Sequence, residues 1–556
     1  MAQQITTWRD VLRTLDSHFT SFKQSRSNKA SKRDDYSDSE DDEDEDRASD
    51  RLIQIMTAAC SVIRQAEAKD HHELPQIVEK VGELLDRVIS FAYSDMAFIR
   101  CIPSFAHAKE TLVKDPMKGP IGEDANRGPG IAGLFPWTEE LDQPHPRTTP
   151  LSRFRKDTRF PAQAFYPTAN MIYQARCEIT DAPTCNPIRL ALSSDGVCLA
   201  LSAAGGYKEN DPIIHVWLNE DDKEKAQIDI KSTLADPAMY IDLDADRELI
   251  FVADKDRVKS YSWADGSAKP VHTLNSNNWT GPLALLPGGR IVRGGIGSLM
   301  SWTIDDLPTH DTIKGLIGPG KYSGYRKIAQ RFEEKEMEFS TGSLPTTMIP
   351  LADSGLFTLN FCWHQPTQRM LCAENWPQRK SYAVVSLDLE HGGKTVTRFV
   401  GHGGGVGHIG LNEDDPNSFM TACSDGFTRL FDVRNPLPAL TLDVERESAP
   451  CQTAVYTHID GIPTIFTGGH KSEAVKLWDV RAKKTVVELS TGNNTVTSMV
   501  WNRKSTTLYA ATECQSIDRF GNHYDYRPAH PFDLYKTPET LSKDAKTTKP
   551  GKEPLQ

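Results

Sequence analysis

No C-x-x-C pair occurs among the ten cysteines, which lie at Cys60, Cys101, Cys177, Cys185, Cys198, Cys362, Cys372, Cys423, Cys451 and Cys514. Scattered singly, they read as reduced, mostly buried thiols of a nuclear or cytosolic protein and not as a zinc framework. A long apolar run is missing too. Nothing approaches the ~18 consecutive apolar residues of a membrane helix, and the opening MAQQITTWRD lacks the apolar stretch of an export signal, so neither spanning nor export is expected. The chain also lacks a basic excess, with 64 Lys and Arg against 76 Asp and Glu and a formal charge of −12. Ten of those acids lie between Asp34 and Asp46, and without them the balance is 64 against 66. A nearly neutral body does not offer the clustered basic surface that displaces counterions from nucleic acid. Nucleic acid is therefore not an expected partner, although a local basic patch stays open.

What is present divides into segments. Residues 1–25 place Ile5, Trp8, Val11, Leu12, Leu15, Phe19 and Phe22 at helical spacing. The favoured expectation is that this amphipathic helix docks on the protein's own body; the alternative is a partner's groove. Residues 26–50 contain DDYSDSEDDEDED, which cannot bury apolar surface and is expected to be a disordered linker. Ser37 and Ser39 in it resemble acidophilic kinase sites. Residues 51–101 carry two apolar stripes, from Leu52 to Ala66 and from Leu74 to Ile89, whose short break DHHEL predicts an antiparallel helical pair. His71, His72 and Glu73 at that break have the residue types of a metal site but are read as a polar junction. Residues 102–168 are rich in Pro and Gly and read as an irregular connector. The tail, 531–556, is expected to be disordered.

From 169 to 530 the texture is short β-rich runs bounded by turns. Several end alike, in Trp217, Trp263, Trp302, Leu387, Phe431, Trp478 and Phe520, at intervals of 46, 39, 85, 44, 47 and 42 residues. The interval of 85 is one period plus an insertion, 305–350. Seven units of about 40 to 45 residues with four strands each predict an all-β, seven-bladed propeller behind a small helical region. ANMIYQARC, residues 169–177, is the strand available to close it against TVTSMVW and Leu508 to Thr512.

Two units carry a specific resemblance. Gly401-His402, followed by TACSDGFTRLFDVR, and GGHKSEAVKLWDVR resemble WD repeats, with twenty-eight residues between His402 and Phe431. The resemblance implies a buried hydrogen-bonded set in each repeat. Carried over, His402, Thr421 and Asp425 match it in the first unit, with His402 paired to Asp425 and Phe431 standing where the tryptophan would be. In the second, Thr467, Trp478 and Asp479 match, with Ser472 roughly where Asp would be. The glycines of GHGGGVGHIG, 401–410, are then expected at bends with φ > 0 or close strand approach. His408 has no role in the repeat pattern.

Catalytic readings of the same stretch fail on context. Gly405-x-Gly407-x-x-Gly410 has dinucleotide-fingerprint spacing, but LNEDDPNS follows it where a helix is needed. His402-Gly403-Gly404-Gly405 spells an oxyanion loop, yet no G-x-S-x-G elbow occurs. Gly315 to Lys321 approaches a phosphate loop with Tyr322 at its hydroxyl position. No catalytic residue, cofactor or metal is expected. The resemblance implies a non-catalytic scaffold or adaptor that binds other proteins, through Trp376 or the insertion among other surfaces. Arg434 and Arg481, two residues after Asp432 and Asp479, also resemble the WDxR feature of cullin-RING ubiquitin ligase substrate receptors, which would make a ligase adaptor the partner. The alternative role for both arginines is pairing with the neighbouring acid. An RNA-processing or chromatin-associated propeller is the third reading, and a nuclear or cytoplasmic location suits all three.

Overall fold

The computed structural model describes residues 7–30, 40–95, 102, 104–106, 112–113, 134–135, 152–155 and 185–514. Within the last range it leaves out 207–209, 220–226, 265–268, 277–278, 325–327, 329–337, 376–380, 445–448, 460, 471–473, 482 and 492–493. Six antiparallel four-strand meanders follow one another: blade 1 over residues 185–230, blade 2 over 240–275, blade 3 over 283–350, blade 4 over 357–399, blade 5 over 406–443 and blade 6 over 451–490. A hairpin, Asn494–Asn502 with Thr507–Cys514, stands seventh. Its first strand packs on the inner strands of blades 6 and 1, so seven inner strands close a ring. Seven four-strand blades were expected; six are found among the described residues, with two strands in the seventh place. Residues 169–177 and Phe520 lie outside the described residues.

The strands form where the β-rich runs were, since alternating side chains pack both faces of each blade against its neighbours. The period marks hold the end of each third strand. Trp302, Phe431 and Trp478 are fully buried, and Leu387 with them. Blade 2 corrects the expectation: Tyr261, paired with Ile250, holds the position that Trp478 holds opposite Ile465, and Trp263 falls two residues later. Tyr261 is fully buried, with its hydroxyl donating to the Ser232 carbonyl. Trp217 of blade 1 is only half-buried, for its neighbours Val500 and Tyr509 come from the hairpin in place of a full blade.

Three helices precede the ring, α1 (Trp8–Ala30), α2 (Glu40–Ala68) and α3 (Leu74–Asp95). The acidic linker expected over 26–50 is corrected at both ends. α1 runs on to residue 30, and α2 begins at residue 40, with Ala48 and Leu52 the start of its buried stripe. Ser37 and Ser39 lie outside the described residues. α2 ends with Asp70 at φ 49, a left-handed cap in which the His71 N–H reaches the Ala66 carbonyl at 2.9 Å. Pro75 then opens α3.

The outer edges of four blades are covered. Leu112–Val113 adds to blade 5 in parallel, Ser152–Arg155 adds to blade 6 antiparallel, Ser343 bridges to Leu274 of blade 2, and α3 packs on the last strand of blade 4. The connector 102–168 thus contributes strands where an irregular cover was expected.

Candidate functional site

The repeat network of blade 5 forms with different partners than expected, and leaves His402 Nδ1 and Arg429 Nε without hydrogen-bond partners among the described residues. Nε2 of His402 meets Thr421 Oγ1 at 3.0 Å. Asp425 does not hydrogen-bond the imidazole. Its carboxylate accepts from the Gly403 and Phe427 N–H groups at 2.6 and 3.1 Å and from both terminal nitrogens of Arg429, at 3.1 and 2.6 Å. Asp425 and Arg429 are both buried, and a full cation outcompetes a neutral imidazole for a buried carboxylate. Burial, aided by Arg429, pulls the His402 imidazole down to about 3, so it is neutral. Of the surrounding glycines, Gly401 is left-handed at φ +116, and a Cβ on Gly404 would come within 2.4 Å of Ser424 Oγ. Gly407 and Gly410 sit in the strand Val406–Leu411, which removes the dinucleotide reading.

Blade 6 keeps the tryptophan. Nε1 of Trp478 donates to Thr467 Oγ1 at 2.8 Å. Asp479 accepts the Arg481 N–H at 2.8 Å and its guanidinium at 3.4 Å. Asp432 likewise receives the Arg434 N–H at 2.9 Å and Nε at 2.8 Å. Both arginines fold back on their neighbouring acids while their side chains stay open to solvent, 71% for Arg434 and 46% for Arg481. Trp376 and Ser472 lie outside the described residues.

The amphipathic helix docks on the chain itself. Leu12, Phe19 and Phe22 of α1 are buried against α2 and α3, with both phenyl rings edge-on to Phe91. Glu73 serves as the junction expected of it, accepting from Trp8 Nε1 at 2.9 Å and Arg9 Nη2 at 2.5 Å. The bundle in turn seats on blades 4 and 5. Arg398 pairs with Asp86 of α3 at 2.8 Å and Glu374 at 3.0 Å, and Tyr93 donates to the Gly403 carbonyl at 2.7 Å.

The insertion, 305–350, packs back on blade 2. Lys259 and Arg257 there are fully buried. Glu338 reaches Lys259 at 2.8 Å and Arg257 at 3.5 Å, and the Arg257 guanidinium lies 4.0 Å from the Tyr322 ring. Burial, with Arg257 nearby, pulls the Lys259 ammonium below its usual value. The insertion also exposes apolar side chains among its charged ones. Among the described residues eight large hydrophobic side chains are exposed, and Ile313, Leu316, Leu344 and Met348 are four of them.

The sequence carried little signal for one further feature. Pairing of the inner strands skips Ile188, Leu359, Gly407, Gln452 and Thr497, a bulge in five of the seven. A bulge re-aims the side chain after it. The residues that follow are Arg189, Asn360, His408, Thr453 and Ser498, all polar. Some of them stitch blades together: Ser498 Oγ accepts the Leu190 N–H at 3.0 Å, and Asn360 Nδ2 donates to the Gly407 carbonyl at 2.7 Å. His408 belongs to this ring and not to the repeat network. Only a spacing comparison of polar residues across all inner strands could have found it.

A closed ring of antiparallel meanders is the architecture of a β-propeller, and the Thr467–Trp478 pair of blade 6 and the Asp425 turn carboxylate of blade 5 are where it resembles WD repeats. No protein-family model matches the chain, and no curated protein matches it. Among solved structures it is similar to the WD40 β-propeller domain of Doa1, at 12% identity and a TM-score of 0.41, over 60% of this chain and 92% of that one.

Proposed function

We propose that the protein is a non-catalytic scaffold that binds other proteins, with the insertion as its main contact surface. The observation that carries this reading is the exposed apolar set Ile313, Leu316, Leu344 and Met348 on a single segment. Several exposed apolar side chains on one segment are a surface that a partner could cover. Trp376 is a further proposed contact, and a nuclear or cytoplasmic location fits cysteines that form no C-x-x-C pair. The test is quantitative affinity purification of the full chain and of a variant with those four residues replaced by Ser. Partners that leave the variant while its thermal midpoint holds support the reading. Equal recovery by both proteins refutes it.

An Arg434→Ala/Arg481→Ala double variant separates the finer readings in the same experiment. Loss of a ubiquitin-ligase adaptor from that variant alone makes the protein a substrate receptor; salt-sensitive recovery of RNA or chromatin proteins makes it a nucleic-acid-associated propeller. We further propose that residues 169–177 pair with the hairpin as a strand of a seventh blade and close the ring. Ile172→Pro then lowers the thermal midpoint while truncation after residue 520 does not. The opposite pattern assigns closure to YDYRPAHPF.

A further inference from the structure

Arg189 lies on the inner strand of blade 1 and Asn360 on that of blade 4. Around the ring they are separated by blades 2 and 3 on one side and by blades 5 and 6 and the hairpin on the other. Nη2 of Arg189 nevertheless donates to Asn360 Oδ1 at 3.3 Å. The bond crosses the ring, so the guanidinium stands in the central channel. Of its five N–H groups, this is the one hydrogen-bonded among the described residues. Asp242, on the neighbouring inner strand, spends its carboxylate on the Leu243 and Leu285 N–H groups at 2.9 and 2.8 Å.

A second guanidinium is close by. Arg293 is fully buried, donates through Nε to the Trp279 carbonyl at 2.6 Å, and leaves Nη1 without a partner among the described residues. The ring of Tyr240 faces both cations, 6.0 Å from Arg189 and 5.7 Å from Arg293. His408 Nδ1 also lacks a partner there. Guanidinium groups stay protonated at neutral pH, and their planar forks match carboxylate and phosphate oxygens.

We propose that the central channel is an oxyanion site in which Arg189 binds a phosphate or carboxylate group, with Arg293, Tyr240 and His408 around it. The acid beside Arg189 is Asp242, while Arg293 has Asp254 and Asp256 near it and donates through Nη2 to the Asp254 carbonyl. Burial pushes the Asp242 carboxyl up to about 6, so the countercharge nearest Arg189 weakens just below neutral pH. His408 reports on the site: burial and Arg189 pull its imidazole down to about 4, and a bound anion offsets the second cause.

The experiment titrates inorganic phosphate and, separately, acetate into the full chain at constant ionic strength, with chloride as the control. The expected result is a saturable rise of the thermal midpoint with at least one oxyanion and none with chloride. Phosphate alone identifies a phosphoryl ligand, and acetate acting as well identifies any oxyanion. The His408 ring resonance, assigned with His408→Gln, titrates at higher pH when the site is filled. Arg189→Gln weakens binding by about tenfold or more. Asn360→Ala frees a donor and leaves Arg189 in place, so it binds at least as tightly as the wild type and decides the matter if Arg189→Gln does not fold. No saturable effect of either oxyanion, undiminished binding by folded Arg189→Gln, or lost binding in folded Asn360→Ala overturns the proposal.

Discussion

Blades 2 and 5 put a buried cation at the same place, two residues before the aromatic that ends the third strand: Lys259 before Tyr261 and Arg429 before Phe431. They neutralise it in opposite ways. Blade 5 does so within one turn, since Asp425 is four residues from Arg429. Blade 2 has the equivalent turn carboxylate in Asp254, which accepts the Ala235 and Asp256 N–H groups at 3.0 and 2.9 Å, but its cation takes Glu338 from the insertion instead. The repeat unit is thus self-sufficient in blade 5 and dependent on a distant segment in blade 2. What a blade needs is the charge balance of the position, and the chain can supply it locally or by insertion.

The comparison breaks most sharply at Asp425. Asp425→Ala leaves Arg429 buried and unpaired, and it cannot shed its proton, so a loss of about 3–5 kcal/mol is expected in urea denaturation. Glu338→Ala is expected to cost less, about 2 kcal/mol at pH 7, because a buried Lys escapes the penalty by becoming neutral. The Lys259 value is already depressed below its unfolded value. Between the two the unfolded chain binds the proton and the folded chain does not, so this group's contribution to stability rises with pH. The deficit of Glu338→Ala should therefore shrink as pH rises from 5 to about 7, where the wild-type Lys259 also sheds its proton, and level off above that, whereas that of Asp425→Ala should not shrink. Equal pH profiles for the two variants would refute the distinction.

Acid reaches both blades through a buried imidazole, at different places in the unit. His402 falls to about 3 when folded, against about 6.5 when unfolded. Below pH 6.5 the unfolded chain takes up a proton that the folded chain refuses, and stability drops by about 1.4 kcal/mol per pH unit. From pH 6.5 to 5 that is about 2 kcal/mol from this residue, and His402→Gln should show a shallower slope by one proton. Blade 2 has Thr233 in the loop before its first strand, bonded to Lys259 at 2.6 Å, and carries its imidazole on the fourth strand instead, where burial pulls His272 down to about 4. A smaller step tests the tryptophan. Trp478→Phe makes blade 6 resemble blade 5 and strands Thr467 Oγ1, at an expected cost of about 1 kcal/mol, read from the urea midpoint.

How much of this was legible in the sequence follows the same divide. Blade 5 and blade 6 were readable because their signals are local: a GH pair, a tight turn and an aromatic at fixed spacing. The helical module was readable as well, since its stripes recur every three or four residues. Blade 2 was misread by two positions because Trp263 is the more conspicuous aromatic, and only strand pairing distinguishes it from Tyr261. Glu338 could not be placed, for its partners are some 80 residues earlier in the chain. The channel ring was invisible because a bulge shifts which residue faces where without leaving a mark in composition. His402 was assigned the wrong partner because Arg429 lies outside the repeat motif, yet it sits one turn from Asp425 with the charge to displace an imidazole.

The smallest effect belongs to the most conspicuous motif. Arg434 and Arg481 occupy matching places in adjacent blades, but each pairs with an acid two residues away at the solvent boundary. Exposed ion pairs of this kind contribute from nothing to about 1 kcal/mol. Replacing both by Ala should leave the urea midpoint indistinguishable from that of the wild type, far below the shift expected for Asp425→Ala. A larger loss would show that the pairs hold the third strands in place. A stability change this small leaves any change in recovered partners attributable to the surface itself, because the propeller that presents the two side chains is unaltered.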